Sequence, residues 1–293
     1  MHSPALLRSR PSSIRRAKDA LFRTACFAGV VVSCLFLFAL LYSVLRDGLG
    51  GLKPEFFQNF SSRFPERAGI RAALVGSVWI ILLTVVVAVP VGIATAIFLE
   101  DFADRRKAWV RAVQLNIANL AGVPSIVYGL LGLAVFVRWM LLGRSILAGA
   151  LTMALVVLPM IIVVAQESIR AVPSSLREGA IALGATKWQA IRSQVLPSAL
   201  PGIVTGVILA VSRAIGETAP LIVVGAVTFI AAVPSGLESK FTVLPIQIFD
   251  WTVHPRREYH QLAASAIVVL LAMLLTMNAV AVGIRMRSRG RRA

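Results

Sequence analysis

The sequence predicts an all-α membrane protein with six transmembrane helices, and three observations predict it. Of 293 residues, 58% are hydrophobic and 15% charged, where a soluble domain carries about 45–50% apolar residues. Runs long and apolar enough to cross a bilayer, about 20 residues each, occur at 22–45, 72–99, 113–137, 146–166, 200–231 and 262–284. The lysines and arginines between them alternate in density: one set of connecting segments holds roughly twice as many as the other, which by the positive-inside rule places both termini in the cytoplasm.

Residues 1–21 form a basic cytoplasmic tail containing Arg8, Arg10, Arg15, Arg16 and Lys18. The run that follows, 22–45, is too long for a signal-peptide apolar region of about 7–15 residues, and it continues without a cleavage site into LLYSVLRDG. It reads as a retained anchor. Cys26 and Cys34, eight residues apart on this one helix, cannot reach each other and read as packing residues. An outer loop, 46–71, leads to a single membrane unit over 72–285, without repeats, low-complexity stretches or a soluble domain. The second long outer connection, 232–260, contains LPIQIFDW and either docks a partner or packs on its own bundle. A basic tail, 286–293, closes the chain. The net charge of +17 is distributed as a topology signal, so nucleic acid is not an expected partner. His254 and His260 lack metal-ligand spacing. Neither an HExxH constellation nor a GxxxxGK[ST] phosphate loop is present, which argues against a membrane enzyme and against nucleotide binding by this chain.

The inner loop 172–198 is long for a bundle connection and patterned throughout. Pro173 suits a first helical position and Gly184 a left-handed C-terminal cap. Thr186 can cap a second short helix that Pro197 prevents from running on. Leu176, Ala180 and Leu183 share one face of the first helix, and Trp188, Ile191 and Val195 one face of the second. Two amphipathic helices joined at a glycine therefore project into the cytoplasm, either resting on headgroups or filling a groove on a partner.

Span five contains SRAIGETAPLI, with Arg213 and Glu217 inside an apolar run. Each charge costs about 2.5–3.5 kcal/mol at mid-membrane on insertion scales, so something must compensate it. Arg213 lies thirteen residues beyond Leu200, about 20 Å along a helix, and cannot snorkel easily to either surface. Gly202, Gly206, Ala210, Arg213 and Glu217 recur at helical spacing as one stripe, which should face the bundle or a partner. Gly216 and Pro220 weaken the helix there and mark a hinge: Pro220 frees the Gly216 carbonyl. Elsewhere, Glu167 and Arg170 sit at the inner end of span four, and Arg138 and Arg144 flank an outer turn.

Glu178-Gly179-Ala180, Gly184 and Leu196-Pro197 resemble the EAA loop of ABC importer permeases. Gly179 stands where that family usually has Ala, and Gln194 where Ile is common. The resemblance implies that Glu178, Gly179, Ala180, Leu183, Gly184, Leu196 and Pro197 couple the chain to an ATPase. NLAGVPSIVYGLLGLAVF, SRAIGETAPLI, FTVLPIQIFDW and TMNAVAVGIRMR extend the resemblance, over roughly 70–287, to phosphate permeases of the PstA type. This implies a type I ABC importer permease fold in the bacterial inner membrane. It also implies assembly with a second permease subunit, a cytoplasmic ATPase dimer that binds the ATP and Mg, and an extracytoplasmic phosphate-binding protein.

For inorganic phosphate, Arg213 offers a planar fork of donors. Glu217 neutralises that fork between turnovers and can accept a hydrogen bond from protonated phosphate, while Ser212 and Thr218 are assigned to the same pathway. The competing reading is a static Arg213–Glu217 pair that holds helices in register. A different oxyanion, or a secondary anion transporter, are the alternative functions. The latter usually shows broken helices in corresponding halves, and here only span five is expected to break with charges.

Overall fold

A computed structural model describes residues 13–227 and 229–289; the outer parts of both basic tails, including Arg8, Arg10, Arg291 and Arg292, lie outside the described residues. Among the described residues every regular element is helical. The first helix, α1 (Ser13–Gly48), begins earlier than the apolar run itself. A short α2 (Pro54–Gln58) sits in the connection 46–71. Then come α3 (Arg71–Ile97), continued by a π-helical turn Phe98–Phe102, α4 (Ala108–Leu120), and α5 (Ser125–Gly132), continued as π helix to Trp139. They are followed by α6 (Ile146–Arg170), α7 (Ser174–Ala182), α8 (Lys187–Ala190) and α9 (Leu196–Ile215). The last are α10 (Ala219–Val224), α11 (Leu244–Thr252) and α12 (Arg257–Arg289). Among the described residues five continuous helices are long and apolar enough to cross a membrane, and a bent pair, taken as one span, makes six.

That bent pair corrects the expectation of an uninterrupted span over 113–137. The chain bends by 108° between α4 and the Ser125–Trp139 helix. Gly122 and Pro124 supply the break, since a proline lacks the donor and disfavours helical backbone in the residue before it. The Tyr128 hydroxyl donates to the Leu120 carbonyl at 2.7 Å, satisfying an acceptor at the broken end. Irregular backbone at membrane depth requires such partners.

A second correction concerns Pro197, which does not end the second loop helix. Lys187 to Ile215 is one continuous helical rod. Just before the proline, Ile191–Val195 widens into a π turn, and the Leu196 amide donates to Ile191, five residues back. A π turn of this kind leaves room for a ring that would strike the preceding turn of a regular helix. Span five is also shorter than 200–231: α9 stops at Ile215, α10 stops at Val224, and Gly225 takes a positive φ of 106°.

The bundle centres on α6, which packs along α3 on one side and α9 on the other. Gly206 makes the second contact close, because a Cβ there would overlap the Val164 side chain. Gly202 similarly faces Ser168, and Ala210 is fully buried. The small-residue stripe of span five therefore faces α6 within the chain. Ile80, Met153, Ile161, Ala214, Leu221 and Phe241 share the central core. The connection 232–260 folds back onto the bundle: Phe241 and Trp251 are 0% and 1% exposed, and Ser77 Oγ accepts from the Leu244 amide at 2.8 Å. By contrast α1 packs mainly on α12 and leaves most of its length exposed, with Cys26 and Cys34 both free on its surface.

Candidate functional site

Two helix breaks meet in the membrane region. α5 and α10 pack against one another so closely that a Cβ on Gly129 would lie 2.8 Å from Pro220 Cα. This brings the α4–α5 bend beside the α9–α10 interruption, and a narrow cavity opens between them. Leu120, Ala121, Ser125, Tyr128, Met160, Arg213 and Glu217 are on its wall.

The local chain explains how Arg213 and Glu217 reach that wall. After Ile215 the backbone closes with tight turns, Gly216 N–H to Arg213 O and Glu217 N–H to Ala214 O, both at 3.2 Å. Thr218 and Ala219 lead directly into Pro220, which is buried. The regular i,i+4 stacking therefore ends between the two charges. Arg213 is exposed and Glu217 half-buried. They form no ion pair with each other, and no carboxylate among the described residues lies within salt-bridge distance of Arg213. The structure brings Arg213 and Glu217 together around one cavity without neutralising either. Ser212 is placed differently: its hydroxyl donates to Asn278 Oδ1 of α12 at 2.6 Å, and it is not on the cavity wall. Thr218 Oγ1 makes a long contact, 3.4 Å, with the Gly216 carbonyl and is likewise off the wall. Gly216 and Pro220 bound the interruption as expected from sequence.

The two-helix loop has the anticipated caps. Gly184 has φ +87°, and the Ala185 amide donates to Ala180 O at 3.1 Å. Thr186 and Gln189 form a reciprocal capping box. Pro173 sits at the N-cap of α7, one place before the first helical residue. The apolar face of α7 is open: Leu183 is 91% exposed, and Leu176, Glu178 and Gly179 are exposed as well, with Ala180 partly covered. The face of the second helix divides. Ile191 and Val195 are buried against α3, α6 and α9, whereas Trp188 remains exposed. Leu196 and Pro197 are half-buried at the root of the rod.

Sequence reasoning passed over Glu100 and Asp101. They lie in the π turn at the C-terminal end of α3, with side chains 3% and 2% exposed. Glu100 accepts from Gln166 Nε2 at 2.9 Å and from Arg170 Nε and Nη2 at 3.0 and 2.7 Å, and it also pairs with Arg105. Asp101 Oδ1 pairs with Arg177 Nη2 of α7 at 2.7 Å. Glu167, singled out with Arg170 from sequence, pairs with it at 2.9 Å. The available signal was the doublet LEDF at a span end opposite an arginine-bearing loop. Among the described residues no group of His, Cys, Asp and Glu is arranged to hold a metal ion.

Residues 88–288 match the family described as binding-protein-dependent transport system inner membrane component. A Mycobacterium tuberculosis protein named phosphate transport system permease protein PstA 1 is 32% identical over 97% of this chain and 94% of its own length. A Yersinia pestis protein named phosphate transport system permease protein PstA is 31% identical over 94% of this chain and 92% of its own. Among solved structures, a subunit of a bacterial ABC transporter involved in alginate import superposes with a TM-score of 0.62, at 17% identity, over 93% of this chain and 99% of that one. At that identity the likeness concerns the fold, which is that of a type I ABC importer permease.

Proposed function

The chain belongs to the family of binding-protein-dependent transport system inner membrane components, and from that premise we propose that it is one permease subunit of an ATP-driven importer of inorganic phosphate. Support for phosphate comes from relatives with phosphate-transport names that align along nearly the whole chain. The observation that carries the reading is the state of Arg213. It stands about 20 Å along the helix from Leu200, exposed at a helix interruption and without a carboxylate partner among the described residues. A cation kept bare at that depth is costly unless an anion visits it.

In this reading phosphate passes along the face where α9 gives way to α10. The Arg213 guanidinium presents parallel N–H donors to two phosphate oxygens. Glu217, on the same wall, limits the depth of the anion well and accepts a hydrogen bond from a protonated phosphate oxygen. The interruption at Gly216–Pro220 is the hinge that changes access. Ser212 holds Arg213's helical turn against α12 through Asn278, and Thr218 contributes its hydroxyl when the turn moves. A second permease subunit supplies the facing wall. Both termini and the α7–α8 loop lie in the cytoplasm, where Glu178, Gly179, Ala180, Leu183 and Gly184 meet a separate ATPase that binds ATP and Mg. Leu196 and Pro197 connect that contact to α9. An extracytoplasmic binding protein delivers phosphate from the other side.

The test is phosphate uptake in cells lacking this chain and then restored with it. The reading expects uptake to require the chain, ATP and a co-purifying ATPase. Uptake driven by an ion gradient, or by the purified chain alone, would contradict it.

A further inference from the structure

Three consecutive residues following α3 each contact a different segment: the end of α6, α7 and the start of the Lys187–Ile215 rod. Glu100 takes the end of α6 through Arg170 and Gln166. Asp101 takes α7 through Arg177. Phe102 takes the start of the long rod: its ring lies 6.4 Å from that of Trp188, with Lys187 Nζ 5.3 Å from its centroid. The π turn Phe98–Phe102 makes this possible. Its extra residue turns successive side chains toward different partners, and π turns often occur at functional positions.

We propose that Asp101, supported by Glu100 and Phe102, is a positioning residue for transport coupling: it fastens the ATPase-docking helix α7 to α3, so that loop movement is passed into the membrane core. The inference rests on the reading of the α7–α8 loop as the ATPase contact. Arg177 directly precedes Glu178 in the EAA-like sequence and points the other way, into the chain, with 30% of its side chain exposed. α3 in turn shares the central core with Ala210 and Ala214, the buried neighbours of Arg213 on α9. A rigid contiguous path therefore runs from α7 through the Asp101–Arg177 pair and α3 to the turn that carries Arg213. Such a path becomes a coupling element only if perturbing it changes coupling. The pair is also a single contact: Asp101 Oδ2 and Arg177 Nε are buried without hydrogen-bond partners, so few other bonds back it up.

The experiment uses the assembled complex in liposomes and measures ATPase co-purification, ATP hydrolysis and phosphate taken up per ATP. In Asp101→Asn and Arg177→Gln, the ATPase should still co-purify and hydrolyse ATP, while phosphate uptake per ATP falls about tenfold, within the usual range of coupling effects. Arg177→Lys should keep most of the coupling, and the exchanged pair Asp101→Arg with Arg177→Asp should recover part of it. An unchanged uptake-to-ATP ratio in both single variants overturns the inference while leaving the loop as the ATPase contact. If Asp101→Asn fails to assemble, the more exposed Arg177 decides. Loss of assembly in Arg177→Gln too would make the pair only structural and overturn the proposal. Uncoupled single variants without recovery in the exchanged pair would assign Arg177 to the ATPase directly, and that also overturns it. Failure of the unaltered chain to bind an ATPase would instead remove the underlying reading.

Discussion

Arg213 and Glu217 stand four residues apart and line the same cavity, yet they are not ion-paired, because α9 ends between them. A continuous helix would stack the two side chains on one face. Gly216 and Pro220 end that stacking, which leaves the guanidinium open toward the cavity.

Arg213→Lys isolates the shape of the donor from its charge. An ammonium keeps the charge but loses the planar fork. Uptake in this variant should fall by about tenfold, one well-made hydrogen-bonding contact's worth, with a higher half-saturating phosphate concentration. Full activity in initial-rate uptake assays would show that charge alone suffices.

Gly184→Val tests the loop. The position has φ +87° and open space around it, so the effect must come from backbone strain. A non-glycine residue held in that region costs about 1–3 kcal/mol. The variant should insert normally but lose several-fold in ATPase binding or in phosphate-stimulated hydrolysis. Gly184→Asn, better tolerated at such caps, should lose less. Equal behaviour of the two variants would remove the cap geometry from the account.

Gly206→Leu tests the α6–α9 contact. A side chain there must displace Val164, and overpacking of this kind costs about 1–3 kcal/mol or more. Less folded protein and a lower Tm in detergent are expected. Leu209→Ala, on the exposed side of α9, should leave Tm nearly unchanged.

Ser212 and Asn278 form one hydrogen bond, so their variants should resemble each other if Ser212 acts by holding α9 to α12. Buried hydrogen bonds between membrane helices are worth about 0.6 kcal/mol on average. Ser212→Ala and Asn278→Ala should therefore each reduce uptake only modestly and to a similar degree. A large rise in half-saturating phosphate for Ser212→Ala alone would place its hydroxyl on the substrate.

Much of this architecture was legible because its causes are local. Apolar length marked the spans, Gly184 and Thr186 marked the loop caps, and Gly216 with Pro220 marked the interruption in span five. The bend at 121–124 was missed although Gly122 and Pro124 were visible, since the run 113–137 is apolar enough in total, despite Gln114, Asn116 and Asn119, to read as one span. Pro197 misled for a different reason: the proline was visible, but the π turn that accommodates it depends on how Ile191 and Val195 bury against α3, α6 and α9. The Glu100–Arg170 and Asp101–Arg177 pairs join residues 70 or more positions apart, and no spacing rule connects them. Arg213 and Glu217 were legible as residues but not as an unpaired set, because that depends on where the helix stops.

The central claim is that Arg213 and Glu217 serve the phosphate pathway and are not a structural pair. Phosphate uptake per assembled complex, compared among Arg213→Gln, Glu217→Gln and the double variant, tests it most directly. Removing both members of a buried structural pair should restore what removing one loses. The account predicts that all three variants assemble with the ATPase at near-normal levels and that the double variant imports phosphate as poorly as Arg213→Gln. Recovery of uptake in the double variant toward that of the unaltered chain would contradict it.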